Sequence, residues 1–483
     1  METIQVIPDP VCLIEAMRAV GYSPEAAIAD LVDNSISAGA SRIDVSYDSA
    51  LAPYIAILDD GRGMSGDELT NAMRHGSRNP SSARDAKDLG RFGLGLKTAS
   101  LSQCRRLTVA SRKDGITTAR RWDLDVVLET GQWLVVVPGN PELEMLPLYS
   151  QLSLQDSGTL VIWQELDRMV AGAVDQQAEM TLRLTPLLEH LALVFHRFGQ
   201  HEDGEPPVEI FVNSLRLPRR DPFLSQNTFR QPLEGQVIRA EIGVVRVTPY
   251  VLPPISHLET EEIDQAGGRE GLRGTQGFYV YRARRLVVWG TWFRIVPKDE
   301  FFKLARIQVD IPNSFDDLWS LDIKKSVASP PELVRERLRE LIPHFVNAGR
   351  RTVTYPGRRT NPAGHTPLWQ RNEPSHGSFG YELNAEHPSI RAFADRIRPQ
   401  DGRAFQALLD VVGETIPLEA IYADMCSDHR REDDARTQSW LSGIAEDLLE
   451  ITGLDIEHVL GIDPLVRFPQ FHERLRKEHE SGK

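Results

Sequence analysis

The run Tyr54-Ile55-Ala56-Ile57-Leu58, ending in Asp59-Asp60-Gly61-Arg62-Gly63-Met64, constrains this chain more than any other stretch. Two glycines spaced by two allow a tight turn in which backbone can approach a flat molecule, and the carboxylate at the strand's end offers an acceptor beside it. Upstream, Ala27-Ile28-Ala29-Asp30-Leu31-Val32-Asp33-Asn34-Ser35-Ile36 reads as helix, with Ala27, Ile28, Leu31 and Val32 on one side. Its two acids and amide each need a partner if buried. Asp30 and Asn34, four apart, share a helix face about one turn from each other. Downstream, Gly90-Arg91-Phe92-Gly93-Leu94-Gly95-Leu96-Lys97 is glycine-rich and runs into a helix. The N–H groups and dipole of a helix start suit a phosphate, and Lys97 adds a full charge.

Each pattern alone is weak. The glycine run lacks the longer spacing of a Walker loop, and a dinucleotide fingerprint belongs in the first strand–helix turn of a parallel unit, whereas the neighbouring strands here read as hairpins. Together the three describe a pocket with a metal-holding amide, an adenine-reading acid and a phosphate cradle.

The whole chain sets the frame. Its 483 residues suffice for two to four domains. No apolar run approaches the roughly 18 to 20 residues of a membrane span, and the N-terminus lacks a signal-peptide layout, so a cytoplasmic protein without membrane contact is expected. Cys12, Cys104 and Cys426 form no CxxC pair, which argues against a disulfide framework and a zinc site. A formal charge of -14 opposes general coating of nucleic acid, so any such contact is local.

Periodicity predicts helix over 12–39 with a break at Gly21, strands at 42–47 and 54–60, helix at 66–75, and a polar loop before the glycine run. Arg106–Arg112, Thr118–Leu124, Trp133–Gly139 and Gly158–Leu166 alternate like antiparallel strands. Helix at 175–200 leads to a second set of strands beginning with Val208–Asn213. A helix closes that set near 351, a Pro, Gly and Arg rich linker follows, and mostly helical segments run to the end.

These residues resemble the GHKL superfamily of ATPases: gyrase B, the ninety-kilodalton heat-shock chaperone, MutL, histidine kinases and MORC. Asp-Leu-Val-Asp-Asn at 30–34, the Asp59–Met64 turn and the Gly90–Lys97 run look like its successive nucleotide motifs. Ser157-Gly158-Thr159-Leu160-Val161 matches a fourth, and the Gly-Leu-Lys-Thr-Ala-Ser form is most similar to MORC and its bacterial relatives. The implied fold is α+β: an N-terminal α/β sandwich ATPase domain over 1–200, a transducer-like domain of ribosomal S5 type over 205–351, a linker-like segment over 352–380 and a mostly helical region over 381–483.

The resemblance implies ATP and Mg²⁺ as cofactors. Asn34 is the expected metal ligand, Asp59 the adenine reader with Thr159 beside it, and Gly61, Gly63 and Met64 the wall against the base. Gly90, Phe92, Gly93, Leu94, Gly95, Leu96 and Lys97 form the phosphate motif, and 76–89 corresponds to the ATP lid. Lys325, then Lys324, is the expected cation for the γ-phosphate. Asp30 is the expected base, although the family carries Glu there. Asp is one methylene shorter, and Glu25 cannot substitute, lying roughly 180° around the helix from Asn34. If Asp30 is not the base, Asp33 is next in line.

The implied activity is slow ATP hydrolysis by a clamp that pairs with a second copy through its N-terminal domain when ATP is bound. A MORC-like or MutL-like DNA transaction, in a bacterial modification or defence system, is the first reading. DNA contact would fall to the arginines at 350, 351, 358, 359 and 371, and protein partners from such a system are expected. A chaperone or signalling switch gripping protein partners is the alternative, favoured by the net acidity, and a topoisomerase B-like subunit is third.

Overall fold

Along Tyr54–Asp59, Ile55 and Ile57 face one apolar core and Ala56 and Leu58 another, so this strand is buried on both sides. The structure is a computed structural model. It describes residues 3–4, 8–19, 21–50, 52–76, 89, 95–202, 204–240, 242–316, 319–321, 328–354, 367–375, 378–416, 435–467 and 471–481. Two compact units emerge, Met1–Val353 and Thr354–Lys483.

The first unit opens with α1 (Pro10–Arg18), α2 (Pro24–Ser37), β1 (Arg42–Asp48), β2 (Tyr54–Asp59), α3 (Gly66–Met73) and α4 (Gly95–Leu101). Then come β3 (Arg106–Lys113), β4 (Ile116–Asp123), α5 (Leu124–Thr130), α6 (Asn140–Glu144), α7 (Tyr149–Leu154), β5 (Gly158–Gln164), α8 (Gln176–Leu184), α9 (Leu187–Val194), β6 (Glu209–Val212) and β7 (Leu215–Arg216). The seven strands form one sheet in the order β4-β3-β5-β2-β1-β6-β7. One face packs on α2, α4 and α9 through Ile28, Leu31, Val32, Ala99, Leu101 and Leu191, and the other is covered by Leu143, Leu146 and Leu152. This mixed α/β sandwich places Asp59 and the Gly61–Gly63 turn at the end of its central strand.

A second sheet follows, built from β8 (Gln231–Pro232), β9 (Gln236–Ala240), β10 (Gly243–Val251), β11 (Gly277–Arg282), β12 (Arg285–Thr291) and β13 (Ala305–Ile311), with α10 (Thr260–Gly267) and α11 (Gly271–Gly274) inserted. Its order is β12-β11-β13-β10-β8, with β9 on β10. Val334, Leu338, Leu341 and Ile342 of α12 (Glu332–Thr354) complete its core. Mixed α/β architecture therefore runs through the whole unit.

The second unit holds an antiparallel hairpin, Trp369–Ser375 with Ser378–Leu383, where composition suggests a linker. Helices Pro388–Ala394, Gly402–Glu414, Ala435–Thr452 and His472–Ser481 make the rest mostly helical, and Leu441, Leu448, Val459 and Leu475 form a core shared by the last two of these.

Two sequence expectations change. Trp133–Gly139 is no strand: Val136 makes a single bridge to Arg121, and the segment follows Gly131, left-handed at the end of α5, and contains Pro138, which has no N–H to give a ladder. Val208–Asn213, read as opening the second set, instead supplies β6, which runs parallel to β1 with Ile43 opposite Ile210 and Val45 opposite Val212. Among the described residues no helix is long and apolar enough to cross a membrane.

Candidate functional site

Asp59 ends β2 directly opposite Thr159 of β5. Its carboxylate accepts from Ser35 Oγ at 2.8 Å and from the Gly61 amide at 2.9 Å. Burial pushes its pKa up, and the bonds from Ser35, Gly61 and the Thr159 backbone oppose that rise by favouring the charged form. Ser111 Oγ lies 2.9 Å from Thr159 Oγ1 and accepts from the Met64 amide at 2.8 Å. A continuous polar seam thus joins Ser35, Asp59, Thr159, Ser111 and Met64.

The fourth motif clasps the second. Ser157 Oγ donates to the Gly61 carbonyl at 2.7 Å. Gly63 sits at φ +63°, where an added Cβ would come 1.9 Å from the Arg112 carbonyl oxygen, so that position admits glycine alone without moving β3. At Gly61 an added Cβ would meet Ala38 Cβ at 2.9 Å. Neighbouring Asp60 is a turn residue, accepting from the Ser41 and Arg42 amides at 2.8 and 2.9 Å.

Helix α2 organises the other side. It begins at Ser23-Pro24, with Pro in the first turn where its missing N–H costs nothing. Asp30 is buried and faces the start of α4, its Oδ2 3.8 Å from where a Gly95 Cβ would stand. Asn34 is exposed, one turn further along. Asp33 is buried between them in sequence and pairs with Arg285 of β12, Nε to Oδ1 at 3.0 Å and to Oδ2 at 3.3 Å. The reserve reading of Asp33 as a base is thereby set aside: a carboxylate engaged by a buried guanidinium is a structural counter-ion.

Lys97 also differs from its expected place. It is fully buried, and its Nζ donates at 2.8 Å to the carbonyls of both Ala72 and Arg74. Those carbonyls belong to the end of α3, where unsatisfied oxygens attract a cation, so Lys97 anchors the root of the expected lid and does not lie open for phosphate. Trp122 Nε1 donates to the adjacent Met73 carbonyl at 3.0 Å. Leu96 packs against the core. Gly90, Phe92, Gly93, Leu94, Lys324 and Lys325, and 77–88 of the lid, lie outside the described residues, as do Arg358 and Arg359.

Just beyond α3, His75 packs against Trp122 and Trp133, ring centroids 5.2 Å away in each case. Burial, reinforced by Lys97, lowers its pKa to about 4. Burial, with Arg285 nearby, takes His190 down to about 3. Both native values lie below the ordinary histidine value near 6.5, so the unfolded chain binds the protons first. Stability is full above about pH 6.5 and is lost as pH falls toward 4, by up to about 2.7 kcal/mol per pH unit for two protons. Denaturant midpoints between pH 7 and 4.5 should show this decline, and His75→Gln with His190→Gln should make it shallower, with the remainder falling in part to His196, which burial likewise lowers to about 4.

Ser35 and Ser111 are site residues that sequence reasoning missed. Position next to Asn34 was the available signal for Ser35. Ser111 had none, since its role arises from the pairing of β3 with β5, which sets Ser111 opposite Thr159.

Comparison with known proteins agrees with this geometry. Residues 22–159 match the family of histidine kinase-, DNA gyrase B- and HSP90-like ATPases. The DNA mismatch repair protein MutL of Erwinia tasmaniensis is 36% identical over 118 residues, 24% of this chain and 19% of that protein. MutL of Rhodospirillum rubrum is 32% identical over 155 residues, 32% of this chain and 23% of that protein. The matched region thus spans about a fifth of the length of these relatives. The matched segment begins just before α2 and ends on Thr159, enclosing Asp30, Asn34, the Asp59 turn and the Gly95 helix start, and on these grounds residues 22–159 are a domain of the GHKL superfamily of ATPases.

Proposed function

We propose that the chain binds Mg-ATP at the end of β2 and hydrolyses it slowly as a nucleotide-gated dimeric clamp. The observation that carries this reading is the Asp59–Thr159 pair, backed by Ser35 and Ser111, across from Asp30 and Gly95 on α2 and α4. Asp59 would accept from the adenine amino group, with the Thr159 hydroxyl beside it and the Gly61–Gly63 turn against the ring. Gly95 and the preceding glycines would face the phosphates.

Among the described residues no three His, Cys, Asp or Glu side chains are grouped to hold a metal. Asn34 fits Mg²⁺ nonetheless. Its exposed amide oxygen is a hard neutral donor, and Mg²⁺ bound with nucleotide takes most of its ligands from phosphate and water. The ion supplies charge neutralisation at the phosphates. Asp30, buried one turn away, would orient and deprotonate the attacking water, and Lys325, or next Lys324, would balance charge on the γ-phosphoryl group.

The first test is ATP turnover by the purified protein. Asn34→Ala should abolish Mg²⁺-dependent ATP binding and turnover, and Asp30→Ala should bind ATP without hydrolysing it. Normal ATPase activity in Asn34→Ala would sink the site assignment.

For the clamp's substrate, the relatives' name, DNA mismatch repair protein, supports a MutL-like or MORC-like DNA transaction, with 205–351 acting as transducer. Salt-sensitive, ATP-stimulated retention on circular DNA is the expected result. ATP hydrolysis with no such retention would favour the chaperone or signalling alternative.

A further inference from the structure

The β11–β12 hairpin turns through Arg282-Ala283-Arg284-Arg285, with Arg282 paired to Arg285 and with φ +47° at Ala283 and +70° at Arg284. Such a turn ordinarily takes Asn-Gly, because both central residues must be left-handed. Two non-glycine residues held there mark strain that surrounding contacts sustain, and strain of this kind gathers at functional places. The contacts are strong. Arg284 donates to the Arg197 carbonyl at 2.7 Å and its guanidinium lies 4.8 Å from the Phe198 ring centre. Either side of it, Arg282 and Arg285 are both buried, and both reach into the first sheet's half of the unit.

Arg285 engages Asp33, the residue immediately before Asn34 on α2. Arg282 grips Asp316 with two bonds, 2.6 and 2.7 Å, and with its remaining nitrogen donates to the Leu89 carbonyl at 3.1 Å. Leu89 directly precedes Gly90, and its own amide donates at 3.2 Å to Ser37 Oγ, at the end of α2. One turn of the second sheet thus holds both α2 and the residue just before the glycine run.

We propose that Arg285 and Arg282 are positioning residues for the nucleotide site: Arg285 sets the rotation of α2 and hence the Asn34 amide, and Arg282 sets Leu89. The proposal rests on the Mg-ATP reading given above. A misplacement of about 1 Å in groups that orient substrate costs on the order of 100-fold in rate. An α2 released from Arg285 therefore loses turnover and needs more Mg²⁺.

The test separates positioning from support of the fold. Asp33→Asn or Arg285→Gln alone leaves a buried charge without its counter-charge and weakens the fold. The neutral pair Asp33→Asn with Arg285→Gln removes both charges, so its melting temperature should return close to wild type. Its kcat should stay about 10- to 100-fold down, and the Mg²⁺ concentration for half-maximal rate should rise, while Arg285→Lys recovers part of both. A refolded neutral pair with wild-type kcat and Mg²⁺ dependence overturns the positioning role and leaves the ATPase reading intact. A wild-type protein that binds no ATP overturns both.

Discussion

Asp59→Asn should lower ATP affinity by about 100-fold while leaving the fold nearly unchanged. The amide keeps the size of the carboxylate and retains an oxygen for the Gly61 N–H, and its new NH₂ can donate to Ser35 Oγ in place of accepting from it. What it loses is acceptor capacity. A carboxylate can take the Gly61 and Ser35 bonds and still accept from an exocyclic amine through either oxygen, whereas in the amide the atom on the Ser35 side is a donor NH₂ that opposes the amine. Titration calorimetry with ATP, beside a thermal melt, separates recognition from stability. Binding within threefold of wild type would remove Asp59 from base recognition.

Asp316→Ala should be among the most destabilising single changes outside the nucleotide motifs, costing about 3–5 kcal/mol. Asp316 and Arg282 are both buried, and the paired bonds of 2.6 and 2.7 Å give the guanidinium its carboxylate. Removing the carboxylate leaves a cation in a low-dielectric site with the Leu89 carbonyl as an incomplete replacement. Urea unfolding measures the loss directly. Asp316→Leu with Arg282→Met should regain much of it, since an apolar pair of similar volume is often neutral relative to a buried ion pair. A loss under about 1 kcal/mol in the single variant would mean that the pair behaves as a solvated one.

The nucleotide end of the sheet was legible because its information is local. Strand, acid and two glycines lie within ten residues, and the fourth motif announces its own turn and strand. Geometry then placed Thr159 opposite Asp59. Lys97 was not legible in this way. A lysine in the first turn of a helix after glycines reads as a phosphate contact, and the competing carbonyls of Ala72 and Arg74 come from another helix more than twenty residues earlier. Asp33 shows the same limit more sharply, since its partner is 252 residues away. Its acidity was visible, but no pattern in the chain points to Arg285. Trp133–Gly139 failed for the opposite reason: its composition suits a strand, yet Gly131 and Pro138 cut it too short to pair.

Strand β6 carries a consequence for how this ATPase can be handled as a separate piece. The family match stops at Thr159, and the helical pattern stops near 200, so either looks like a natural place to cut. Yet Glu209–Val212 lies against β1, and β7 lies against β6. A fragment severed before residue 208 would bare the backbone of β1 from Arg42 to Val45 as an open sheet margin, with Ile43 and Val45 at its inner face. Such a margin templates pairing with other chains, so a truncated ATPase would self-associate for reasons unrelated to nucleotide. Dimers seen with that fragment would say nothing about the proposed nucleotide-gated pairing.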